Sequence, residues 1–92
     1  MYRVFVVYDT APDPERYEQH VELCRKVPNA AFRHGPIKRT LSGDELAYYA
    51  EFEFADSDTF KGAAASEEFA ATAKDAAAMG YPHSIYVTDV NA

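Results

Sequence analysis

Apolar residues recur along this chain at two different spacings, and the switches between them mark out the elements. Tyr2 to Tyr8 is dense in β-branched and aromatic side chains, too short for a typical helix, and closed by Asp9-Thr10-Ala11-Pro12. It predicts a strand with apolar groups on both faces, Tyr2, Val4, Val6 and Tyr8 on one and Phe5 and Val7 on the other. Asp13-Pro14-Glu15 predicts a helix start, with Asp13 capping, Pro14 at the first helical position and Glu15 at the positive end of the dipole. Tyr17, His20, Val21 and Cys24 then fall at three- and four-residue spacing, as one buried face requires. Pro28-Asn29 closes this helix. Ala30 to Leu41 has extended character, interrupted at Gly35-Pro36, which places it at an edge or bulge.

Ser42-Gly43-Asp44-Glu45 reads as a turn into the clearest strand, Leu46 to Phe54, with Tyr48, Ala50, Phe52 and Phe54 on one face. Asp56-Ser57-Asp58 caps a second helical region, from Thr59 through Met79. Gly62 and Ser66 break it, and Ser66-Glu67-Glu68 looks like a fresh start, so a short helix followed by a longer one is expected. Gly80 and Pro82 stop the second of these. Ser84 to Val90 is the last strand. The order β-α-β-β-α-β predicts a single α+β domain over residues 1–92, ferredoxin-like, with a four-stranded antiparallel sheet and its helices on one face.

That architecture leaves one sheet face uncovered. It would carry Phe5, Val7, Tyr49, Tyr86 and Thr88, interspersed with Arg3, Glu51 and Glu53. Exposing such a patch costs about 25 cal/mol per Å² of apolar surface, and two sheets packed face to face cover it, so a homodimer is expected. The mixed charges predict cross-strand ion pairs in that interface. A chain of 92 residues also gains from a partner because so small a domain buries little surface by itself.

Charge narrows the partners. With 9 basic and 15 acidic residues the net charge is −6, and no basic cluster exceeds Arg25-Lys26 or Lys38-Arg39, so neither nucleic acid nor an anionic membrane is an expected partner. No apolar run approaches the ~20 residues of a membrane span. Cys24 is the one cysteine, which excludes an internal disulfide and suits a reducing, cytoplasmic setting.

Three stretches resemble the EthD-like group of the dimeric α+β barrel superfamily. Asp13-Pro14-Glu15-Arg16-Tyr17 resembles its acidic-aromatic helix start, and His20 through Pro28 its His-x-Pro-Leu…Pro-Gly stretch. Tyr49-Ala50-Glu51-Phe52-Glu53-Phe54 with Ser57, then Ala65-Ser66-Glu67-Glu68, resembles its third strand and following helix start. Glu22 stands where that group has proline, Asn29 stands where it has glycine, and the first helix is shorter by more than a turn. The resemblance implies a ferredoxin-like protomer in a dimeric barrel and a small-molecule pocket between helices and sheet. It also implies association with oxidative or degradative metabolism of an apolar compound, without metal or organic cofactor. Non-catalytic dimeric binding or stress-related modules and cofactor-independent monooxygenases share the fold and stand as alternatives.

Within that frame His20 points at the sheet, where Tyr8 and Tyr48 also point, so Tyr8, Tyr17, Tyr48 and Cys24 are the expected pocket lining around it. An imidazole among phenols can act as a general base; it can equally be a core histidine satisfied by a hydroxyl or a carbonyl. His20 and Cys24, four apart, can form a thiolate–imidazole pair, or Cys24 can be a small buried hydrophobe. His34 and His83 have no metal-ligand spacing to either. Arg33, His34, Lys38 and Arg39 gather positive charge on the second strand, suited either to drawing an anion or to guarding a sheet edge.

Overall fold

A computed structural model describes residues 1–91. Seven elements follow in order: β1 (Tyr2–Tyr8), α1 (Pro14–Cys24), β2 (Ala31–Pro36), β3 (Tyr48–Phe54), α2 (Ser57–Ala64), α3 (Glu67–Met79) and β4 (His83–Asp89). The strands form one antiparallel sheet in the order β2-β3-β1-β4, the ferredoxin-like arrangement. Each helix begins where a short polar side chain can accept a backbone N–H. Asp13 accepts from Arg16, Asp56 from Thr59 and Ser66 from Phe69. Gly80 ends α3 at φ 71, a left-handed conformation that costs glycine nothing. Asn29 takes φ 57 in the turn after α1, where the EthD-like pattern carries glycine; asparagine tolerates this region better than most residues.

Local expectations shift at four places, one of them the third strand, which starts at Tyr48 and not at Leu46. Gly62 lies inside α2, and the break falls at Ala65-Ser66, where the serine hydroxyl caps the next helix. The second strand stops at Pro36, with one last hydrogen bond from the Ile37 N–H to the Ala47 carbonyl at 3.0 Å, so Lys38 and Arg39 lie in the following loop. The last strand starts at His83, directly after Pro82.

The register settles the two faces. Val4 pairs with Phe52 and Val87, Val6 with Ala50 and Ile85, and Tyr8 with Tyr48 and His83, all towards the helices. Val4, Tyr8, Tyr17, Val21, Cys24, Phe32, Phe52 and Phe54 form the buried core, with Phe54 and Cys24 the most enclosed.

The other face carries a layer of its own. Phe5 stacks between Tyr49 and Tyr86, with ring centroids 5.9 and 5.4 Å away. Beside this row, Arg3 donates to Glu53 at 2.8 Å, Arg33 donates to Glu51 at 2.9 Å and approaches Glu53 at 3.1 Å, and the Tyr49 hydroxyl donates to Glu51 at 2.8 Å. The expected cross-strand ion pairs therefore exist within one chain, two arginines against two glutamates. Arg33 is part of this network, while His34 faces the helices, so the basic residues of the second strand do not form one patch. Burial pushes the Glu51 carboxyl up, but the hydrogen bonds from Tyr49 and Arg33 outweigh it and hold the group below its ordinary value. Arg3, then Arg33, does the same for Glu53.

Phe54→Ala removes the most enclosed large side chain of the core and should destabilise the fold by about 3–4 kcal/mol in urea unfolding. A loss under ~1 kcal/mol would mean that Phe54 does not occupy a close-packed site.

Candidate functional site

The helices cover the inner sheet face unevenly. Helix α3 packs on α1 and α2, and its side towards β1 and β4 presents Thr72, Ala73 and Ala76. Alanine at two of these three positions provides little bulk to reach the sheet. An apolar groove of about 270 Å³ remains between α3 and the inner face of β1 and β4, and Val4, Val6, Phe52, Phe60, Phe69, Ile85 and Val87 supply most of its walls. Ile85 and Val87 are 56% and 51% exposed although they face the helix side of the sheet, so the groove opens beside β4.

His20 reaches this groove from α1. It is 5% exposed, and its Nδ1 lies 2.9 Å from Oδ2 of Asp75 on α3. The same carboxylate accepts two hydrogen bonds from Arg16, at 2.6 and 3.2 Å. Arg16, then His20, holds the Asp75 carboxyl below its ordinary value against an opposing effect of burial. An ionised carboxylate only accepts, so Nδ1 of His20 carries the hydrogen, and Nε2 of the neutral ring is left as a lone-pair acceptor. This is the orientation that a general base needs.

The tyrosines expected around His20 divide between two places. Tyr8 lines the groove with His20. Tyr48 and the ring of Tyr17 line a separate, smaller cleft of about 150 Å³ with Pro12, Pro14, Glu18 and His34. There the Tyr48 hydroxyl is hydrogen-bonded to His34 Nδ1 at 2.7 Å, and burial followed by the charge of Arg25 lowers the His34 pKa. Tyr17 packs edge-on to Tyr8 at 5.6 Å and to Tyr48 at 5.2 Å, and its ring lies 5.5 Å from that of His20. Its enclosed hydroxyl has no partner in hydrogen-bonding geometry and rests against Tyr8, and burial first of all raises its pKa. Cys24 lines neither space. Burial, then the charge of Asp75, pushes its thiol up to about 12, so it stays protonated and forms no thiolate–imidazole pair with His20.

Two residues of the site, Asp75 behind His20 and His83 in the groove itself, carry no signal in the local sequence pattern. Asp75 sits in an alanine-rich stretch 55 positions from His20, and no local spacing announces their contact. His83, set aside for lack of metal-ligand spacing, lies opposite Tyr8 in the β1–β4 register and lines the groove beside it, with ring centroids 5.8 Å apart. Pro82, which fixes where β4 begins, is the nearest cue to its place. Among the described residues no group of three or more His, Cys, Asp or Glu is placed to hold a metal ion, and no helix is long and apolar enough to cross a membrane.

Solved structures share this fold. An EthD-family protein from Bacillus halodurans superposes with a TM-score of 0.82 at 19% identity, over 99% of each chain. The fold is EthD-like. A dimeric ferredoxin-like protein of unknown function from Jannaschia sp. matches at TM-score 0.75 and 15% identity, covering 97% of this chain and 98% of its own. A cofactor-independent oxygenase from Streptomyces nogalater matches at 0.59 and 17%, covering 99% and 91%. No protein-family model and no curated protein matches the sequence.

The lowered carboxyls of Asp75, Glu51 and Glu53 contribute stability that is present above the unfolded carboxylate range, about pH 4, and is lost as pH falls through their lower folded values. Chemical unfolding as a function of pH should therefore show a loss below about pH 4. Asp75→Asn should cost about 2 kcal/mol at neutral pH, because Arg16 and His20 lose a charged acceptor, and should flatten the acid limb. An unchanged acid limb in that variant would remove Asp75 from the account.

Proposed function

We propose that the chain, as a single domain over residues 1–92, is a homodimeric small-molecule-handling protein of EthD-like type. It takes an apolar compound into the groove between α3 and the β1–β4 face, where His20 accepts a proton from it. The observation that carries this reading is the Asp75–His20 contact. A carboxylate fixes the imidazole so that its unprotonated nitrogen is the one left for a ligand, in a space whose walls are otherwise apolar. Such a site binds through excluded water and orients through one group, with Tyr8 beside it. Proton removal next to a carbonyl or from an acidic hydroxyl is the chemistry that one base in a dry pocket supplies, and it suits a step in the oxidative or degradative metabolism of an apolar compound. The fold likeness to an EthD-family protein and to a cofactor-independent oxygenase supports the same class of role.

The homodimer rests on the open face of the sheet. Tyr86 is 52% exposed beside Phe5 and Tyr49, and the adjoining ion pairs are already neutralised within the chain. A second copy can therefore cover the aromatic row without burying an unpaired charge. The likeness to a dimeric ferredoxin-like protein is in keeping with this.

Deuterium exchange at the α-carbon of an apolar ketone, 4-phenyl-2-butanone, tests the base. The wild-type protein should accelerate it over buffer, and His20→Gln should lose about 100-fold of that acceleration. Equal rates for the two proteins would remove His20 as the proton acceptor. Light scattering should report a dimer at micromolar concentration and a monomer for Phe5→Arg. A wild-type monomer would overturn the pairing of sheets.

A further inference from the structure

The groove carries its free polar atoms at one end. In the register of β1 with β4, Tyr8 stands opposite His83 and Val4 opposite Val87, and these two pairs lie about 13 Å apart at roughly 3.3 Å per residue. The Val4–Val87 end is closed by Phe60 and Phe69. The hydroxyl of Thr72 is spent on the Phe69 carbonyl, to which it donates at 2.7 Å.

At the polar end the two imidazoles are held alike. Nδ1 of His83 lies 2.7 Å from the carbonyl oxygen of Tyr81. A carbonyl only accepts, so this nitrogen carries the hydrogen and Nε2 of the neutral ring is an acceptor. His20 is held in the same tautomer by Asp75. Two imidazoles, each with an accepting nitrogen to spare, thus line the groove at its Tyr8 end, His83 against Tyr8 and His20 against Tyr17, which packs on Tyr8. Their complement is a ligand that brings hydrogen-bond donors. A carboxylate brings only acceptors, and it brings negative charge to a chain whose net charge is already −6.

We propose that the groove takes a neutral, hydroxyl-ended apolar molecule of phenolic type, its hydrocarbon body towards Val4 and Val87 and its hydroxyl end between His20 and His83. The hydroxyl has one hydrogen and donates it to one ring at a time, so His83 is a second ligand-binding residue that shares this hydrogen with His20. This deepens the reading of the groove given above and rests on it. A bound phenol presents its own acidic hydrogen to the imidazoles, His83 holding it by accepting that hydrogen before it passes to His20.

Titration calorimetry with three probes that share a body, 4-propylphenol, propylbenzene and 4-propylbenzoate, tests the assignment at about pH 8, where both an unperturbed imidazole and an unperturbed phenol are neutral. His83 is exposed and its backbone makes the strand ladder, so His83→Ala leaves the sheet intact. The phenol should bind the wild-type protein more tightly than propylbenzene does, and the benzoate more weakly than the phenol. His83→Ala should weaken the phenol about tenfold and leave propylbenzene unchanged. Phenol and hydrocarbon binding equally, the benzoate binding best, or a phenol preference that survives in His83→Ala would each overturn the hydroxyl-end assignment while leaving the groove as a site. Failure of all three probes to bind the wild-type protein would overturn the groove reading itself.

Discussion

The carboxylate of Asp75 joins two helices and fixes the chemistry between them. Arg16 and His20 both reach it from α1, so α3 is drawn towards α1 and away from the outer strand β4. A helix held there, with alanines at positions 73 and 76 on the side facing the sheet, cannot cover Ile85 and Val87. The groove is the consequence. The same contact decides which imidazole nitrogen of His20 is free. Position of the helix, existence of the cavity and tautomer of His20 all trace to one acidic side chain.

The sheet sets the second constraint. Its alternation puts apolar groups on both sides, and the two sides solve burial differently. Towards the helices, Val4, Phe52 and Phe54 pack into a close core. On the far side the aromatic row of Tyr49, Phe5 and Tyr86 lies next to a closed set of two arginines and two glutamates. Glu51 is largely buried even in the single chain, because Arg33 and Tyr49 wrap it. That face is electrically satisfied and hydrophobically unsatisfied, a combination that suits self-association better than capture of a charged partner.

Much of this was legible in the sequence, and the boundary follows the range of the interactions. Asp13-Pro14, Asp56, Ser66 and Gly80 act on backbone groups within a few residues, and each helix begins or ends where these residues predict. The in-and-out alternation of Val4 and Val6 against Phe5 and Val7 is set by the pleat alone. The candidate site was less readable. His20 is legible from its place on the apolar stripe of α1, and Tyr8, Tyr17 and Tyr48 group with it because all three face the space between helices and sheet. Facing that space does not fix which cavity a ring lines: Tyr8 and Tyr48 stand opposite each other in the β1–β3 register with ring centroids 6.3 Å apart, yet Tyr8 lines the groove and Tyr48 the cleft. Asp75 and His83 were out of reach for the same reason, since both enter the site through contacts that span most of the chain.

The orientation of His20 is the point at which fold and chemistry meet, and nitrogen-15 spectroscopy of the imidazole reads it directly. At about pH 8, where an unperturbed imidazole is neutral, long-range proton–nitrogen correlations should show a pyrrole-type Nδ1 bearing hydrogen and a pyridine-type Nε2 without one. An Nε2–H ring, or the averaged tautomers of a freely solvated histidine, would contradict the clamp by Asp75 and with it the role proposed for His20.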